Sequence, residues 1–88
     1  MLTKVKKNSL SRMSRIVGQA QGIRRMIEQE RYCPEIVQQI TAVRAALAQV
    51  GMIVLRGHLE TCVSETVREG REDAILDELD EVLTKFLR

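Results

Sequence analysis

The most constraining feature of this chain is an uninterrupted helical periodicity through its middle. Ile36, Ile40, Val43, Leu47, Val50 and Val54 recur at intervals of 4, 3, 4, 3 and 4, the signature of an α-helix with one apolar stripe. The pattern continues on a shifted face through Leu55, Leu59, Val63 and Val67. Pro34 suits the first position inside a helix, and Glu35 the positive end of its dipole. Gly70 reads as the C-terminal stop, with Arg68 beside the negative end. Such a helix holds about 36 residues and measures about 54 Å. That is too long for a compact monomer of 88 residues. The chain is therefore expected to complete its core by oligomerising. Gly51 and Gly57 are possible breaks, but neither stands beside a proline or a turn cluster.

Shorter helices flank the long one. Between about Ser9 and Glu30, Met13, Ile16, Ala20, Ile23 and Ile27 recur at 3, 4, 3 and 4, and Val17 and Met26 broaden the stripe. Asn8, Ser9 and Ser11 are the candidate caps. Gly18 and Gly22, on the side of Ala20, would permit close packing. From near Glu72 to the end, Ile75, Leu79, Val82 and Phe86 share a face, with Leu76, Leu83 and Leu87 alongside. Tyr32 and Phe86 are the only aromatic residues, so the core is aliphatic. No strand alternation or internal repeat is present. The expected fold is all-α, one domain over residues 1–88, with helices in the order short, long, short.

Charge is unevenly placed. Residues 1–31 carry a net +6, residues 32–71 are neutral and residues 72–88 carry −4. A basic first third makes a dipolar surface suited to phosphate, although a solvated helix face would have the same composition. The longest apolar run, Met52–Leu55, falls far short of a span of roughly 20 residues, so no membrane partner is expected. The first seven residues are charged without an apolar signal core, which points to the cytoplasm. Two cysteines there are expected to be ligands or redox thiols rather than a disulfide. No phosphate loop or nucleophile elbow is present, and a narrow bundle offers no substrate pocket, so no enzyme activity and no small-molecule substrate are expected.

The residues with metal chemistry are Cys33, His58 and Cys62. His58 and Cys62 are four apart and share a helix face; the plain alternative is a buried thiol beside a satisfied histidine. Cys33 precedes His58 by 25 residues, about 37 Å along a continuous helix. One chain cannot gather all three, but two can. If the long helix packs antiparallel on a twofold mate with the axis near residue 46 or 47, Cys33 of one copy meets His58 and Cys62 of the other. The sequence there, Ala45-Ala46-Leu47-Ala48, allows close approach. Two thiolates and one imidazole suit three-coordinate Cu(I), or Zn(II) with a fourth ligand, for which Glu65, three residues after Cys62, is available.

These segments together resemble one known family. Leu10–Gln19 with Gly22–Glu28, Tyr32-Cys33, Gln38–Leu47 and Gly57–Cys62 look like the signatures of the CsoR/RcnR family of bacterial metal- and thiol-responsive repressors. The resemblance covers nearly the whole chain. It implies an antiparallel four-helix-bundle-like homodimer, a dimer of dimers as homotetramer, and operator DNA as partner. It places Arg12, Arg15 and Arg44 with Lys4, Lys6 and Lys7 in the DNA-binding surface. Cys, His 25 residues on, and Cys four further is the pattern of the family's copper(I) sensors, with Cys33, His58 and Cys62 as ligands and Cu(I) as the bound group. Tyr32 and Glu78 stand where that branch has outer residues of the site. The implied function is repression by the apo form, relieved when Cu(I) lowers DNA affinity at copper efflux and homeostasis genes. A basic residue common in the second helix is Gln49 here, leaving Arg44 or Arg56 to compensate. Alternatives are a persulfide, oxidant or nickel sensor of the same family, or a copper buffer without DNA binding.

Overall fold

The computed structural model describes residues 1–87, with the backbone alone at residues 63 and 64. The place of Val63 in the apolar stripe and the charge of Arg88 lie outside that description. Three helices follow one another: α1 (Thr3–Glu28), α2 (Cys33–Glu69) and α3 (Glu72–Phe86). Among the described residues there is no strand, as the all-α expectation requires.

Helix α2 runs for 37 residues with Pro34 in its first turn. Gly70 ends it in the left-handed conformation at φ 71°. That geometry lets the Arg71 N–H donate to Thr66 O at 2.9 Å and closes the helix. The helix spans about 55 Å, nearly the whole 56 Å length of the molecule.

Gly51 and Gly57 do not break α2; they are where its neighbours come closest. A Cβ on Gly57 would lie 2.9 Å from both Val5 Cγ atoms, and one on Gly51 would lie 2.7 Å from Phe86 Cε2. Helix α1 therefore runs antiparallel along one side of α2, with Val5 at Gly57 and Arg12 at Gln49. Helix α3 folds back along another side, with Phe86 at Gly51. Gly57→Ala should lower stability by about 1 kcal/mol, since overpacking costs about 1–3 kcal/mol and the alanine returns up to about 1 kcal/mol of helix propensity. Thermal melts of Gly57→Ala with and without Val5→Ala test this. The double variant should recover part of the loss.

The first helix departs from expectation. It starts at Thr3, so Asn8, Ser9 and Ser11 lie inside it and cap nothing; Leu2 stands at the N-cap without a side-chain bond. The physical reason is tertiary: Val5 packs on Gly57 and draws the extra turns into the helix. Ser9 is buried there with no partner for its hydroxyl. Gly18 has nothing within 4 Å and Gly22 meets only an Arg25 guanidinium nitrogen, so neither is a close-packing point within the chain. Helix α1 ends at Glu28, and Glu30 takes φ 52° in the turn to α2.

The core is thin. Among the described residues, Ile16 of α1 and Val50 of α2 are its buried apolar side chains, while Val37, Ile40, Leu47 and Met52 of α2 stay exposed. By length and composition α2 is also apolar enough to cross a membrane, with a mean hydropathy of 1.4 over its most apolar stretch. The short run Met52–Leu55 hid this, because Ala, Gly and Gln interleave with the larger residues along the helix. A surface of this kind is also what a partner helix needs.

Candidate metal centre

His58 and Cys62 stand one turn apart on α2, and His58 Nδ1 lies 3.3 Å from Cys62 Sγ. Thr61 holds its hydroxyl against the helix backbone, at 3.1 Å from His58 O, and its Oγ1 is 3.7 Å from Cys62 Sγ. Cys62 is half-buried and Cys33 exposed, both as free thiols.

Helix α3 roofs this pair. Ile75, Glu78, Leu79 and Val82 face Leu55, His58 and Leu59 across a cavity of about 30 Å³. A larger, more polar pocket of about 190 Å³ opens beside it, where Glu65 and Arg71 join His58, Cys62 and Glu78. Glu78 thus stands beside His58. Tyr32 stands elsewhere, exposed at the N-cap of α2.

Cys33 is the first residue of α2. It lies about 37 Å along the axis from His58, so the chain brings together two of its three soft donors and leaves the third at the far end. Among the described side chains no three metal-binding groups gather within one chain. The pair itself fits a metal. A thiolate and an imidazole on a first-row ion, at tetrahedral or trigonal angles, are separated by about 3.6–3.8 Å. The observed 3.3 Å needs only a small side-chain adjustment.

The basic residues fall on several surfaces. Arg12 and Arg15 flank the groove between α1 and α2, together with Gln19 and Gln49. Lys4 and Arg56 line a neighbouring groove with Asn8 and Glu60. Lys6 and Lys7 are exposed on α1. Arg44 precedes Gln49 by five residues, about 140° around the helix axis from it. Arg56, seven residues after Gln49, returns to about the same face. From the sequence Asn8 reads as a helix cap and Gln49 as a missing basic contact, yet both hold Arg12; only the spacing of Asn8 four residues before Arg12 gives any signal of this.

A family model described as a metal-sensitive transcriptional repressor matches residues 5–85. The chain belongs to this repressor family. Among its relatives, the copper-sensing transcriptional repressor CsoR of Bacillus subtilis is 37% identical over 86 residues, covering 98% of this chain and 85% of the relative. The crystal structure of the copper-sensing repressor CsoR with Cu(I) from Geobacillus thermodenitrificans superposes with a TM-score of 0.89 at 40% identity, covering 100% of this chain and 92% of the other. The nickel-responsive transcriptional regulator InrS superposes with a TM-score of 0.76 at 36% identity, over 91% and 90% of the two chains. Family membership and the all-helical architecture thus agree with the sequence reading.

Proposed function

We propose that this chain is a copper(I)-responsive transcriptional repressor acting as one 88-residue domain in a homo-oligomer. The observation that carries the reading is the layout of α2. Cys33, Ile40, Leu47, His58 and Cys62 fall within an arc of about 60° on one continuous helix. Cys33 lies 14 residues before Leu47, and Cys62 lies 15 after it. Two copies of α2 packed antiparallel with their axis at residues 46–47 would bury the exposed Ile40 and Leu47. The same packing would set Cys33 of one copy beside His58 and Cys62 of the other, at two equivalent sites.

Two thiolates and one imidazole make a soft donor set that favours Cu(I), and the copper-sensing relatives agree with that choice. Cys33 of one chain with His58 and Cys62 of the other would hold Cu(I), which would supply soft-metal bonding that ties the two chains together. The protein's own residues do the rest. Cys33 reports the position of one α2. His58 and Cys62 report the other; His58, through the cavity shared with Glu78 and Leu79, also reports the position of α3. Glu78 is the carboxylate available to orient the imidazole. Arg12 and Arg15, with Lys4, Lys6 and Lys7, supply phosphate contacts on operator DNA. Arg44, on its separate face, would reach DNA only at the edge of that surface. Repression then belongs to the metal-free oligomer, in the cytoplasm with the chromosome, and copper relieves it at copper efflux and homeostasis genes.

Fluorescence anisotropy of a labelled duplex from the promoter of the protein's own gene tests this. Adding one equivalent of Cu(I) per chain under anaerobic conditions should weaken binding about 5- to 150-fold, the usual span of allosteric coupling. Equal affinity with and without Cu(I) would refute the reading. Release by Ni(II) alone would favour a nickel sensor instead, a second reading supported by Glu65 in the pocket beside Cys62 and by the nickel-responsive relative.

A further inference from the structure

We propose that Asn8 and Gln49 form an uncharged clamp that holds the Arg12 guanidinium ready for a DNA phosphate. The inference rests on the repressor reading above and assigns a positioning role to Gln49.

The clamp is built from two hydrogen bonds. Arg12 Nε donates to Asn8 Oδ1 at 3.1 Å, one turn back on α1. Arg12 Nη1 donates to Gln49 Oε1 at 3.1 Å, across the groove on α2. A guanidinium has five N–H donors in a fixed plane. Two are spent on the clamp and three remain, enough for a paired contact with phosphate oxygens.

The identity of the acceptors matters. Arg24, Arg31, Arg56 and Arg71 each lie against a glutamate, respectively Glu28, Glu35, Glu60 and Glu69. Those pairs cancel charge where they stand. Arg12 is held by two amides instead, so it is fixed in place while keeping its full charge. Arg15 and Gln19 line the same groove as Arg12 and Gln49, and no carboxylate lines it. A cation already held in one orientation gives up less side-chain freedom on binding than a free one does. Gln49 therefore contributes to DNA affinity without touching DNA.

The test uses full-length variants and the promoter duplex, with affinity measured over a range of salt concentrations. Arg12→Ala should weaken binding and reduce the salt slope by about one ion. Gln49→Ala should weaken binding about 2- to 12-fold, the cost of ordering one long side chain, with the slope unchanged because the charge remains. Gln49→Glu keeps an acceptor oxygen in the same place but pairs Arg12 with a carboxylate. It should weaken binding and also reduce the slope by about one ion. A merely structural Gln49 would leave Gln49→Glu like wild type and lower only the melting temperature of Gln49→Ala. Wild-type affinity and slope in both Gln49 variants would overturn the clamp. If Gln49→Ala fails to fold, Asn8→Ala tests the other arm, with the same expected loss at constant slope. Absence of DNA binding by wild type would instead overturn the repressor reading, and the phosphate role with it. The Arg12 Nε–H resonance separates the two failures. It should be protected from exchange in wild type and lose protection in Gln49→Ala, whether or not DNA binds; free exchange in wild type would overturn the clamp on its own.

Discussion

Replacing Cys33 by alanine should abolish tight Cu(I) binding while leaving the melting temperature nearly unchanged. Cys33 is exposed in the first turn of α2, so its thiol contributes little to packing. In a three-donor site the loss of one thiolate removes a bond rather than an orienting contact. Outer residues of metal sites cost about 10- to 100-fold when removed; loss of Cys33 should exceed that range. Cys62→Ala should lose copper to the same extent. Competition against a high-affinity Cu(I) chelator, without oxygen and with reduced protein, measures both. Retention of wild-type affinity by Cys33→Ala would remove Cys33 from the site and leave only the His58–Cys62 pair on α2.

His58→Ala should separate copper binding from DNA release. Two thiolates still hold Cu(I), so affinity falls less than for either cysteine variant. The imidazole, however, is the donor that stands in the cavity with Glu78, Leu79 and Val82 of α3. Without it the metal loses its donor against Leu79 and Val82 of α3 and keeps only Cys62, beside Ala74 and Ile75. The ratio of DNA affinities without and with Cu(I), expected to be about 5- to 150-fold in wild type, should collapse toward one. Anisotropy titrations of the promoter duplex at saturating Cu(I) read this directly. A His58→Ala protein that releases DNA as wild type does would show that the signal travels through the cysteines alone.

The parts of the molecule set by local pattern were readable from the sequence. The period of Ile36 to Val54, Pro34 at one end and Gly70 at the other bounded α2 to within a residue. The offset of four between His58 and Cys62 placed them together on one face, and the 25-residue gap kept Cys33 away. Features set by contacts between helices were not readable. The start of α1 depends on Val5 meeting Gly57, some fifty residues away in sequence, so the serines and Asn8 near it looked like caps. Gly51 and Gly57 looked like possible breaks because the sequence does not record that Phe86 and Val5 lie over them. Gly18 and Gly22 looked like contact points for the same reason, and no helix of this chain touches them. The charge of Arg12 was visible, but its two amide partners depend on the packing of α1 against α2.

The claim that each metal site is shared between chains is tested most directly by a mixed dimer. Cys33→Ala and Cys62→Ala chains, carrying different affinity tags, are expressed together, and the species with both tags is isolated. One of its two sites then has Cys33 from one chain and His58 with Cys62 from the other; the second site lacks both thiolates. Copper stoichiometry against the chelator should be one tightly bound Cu(I) per mixed dimer and none in either parent. No tight copper in the mixed dimer would contradict an inter-chain site.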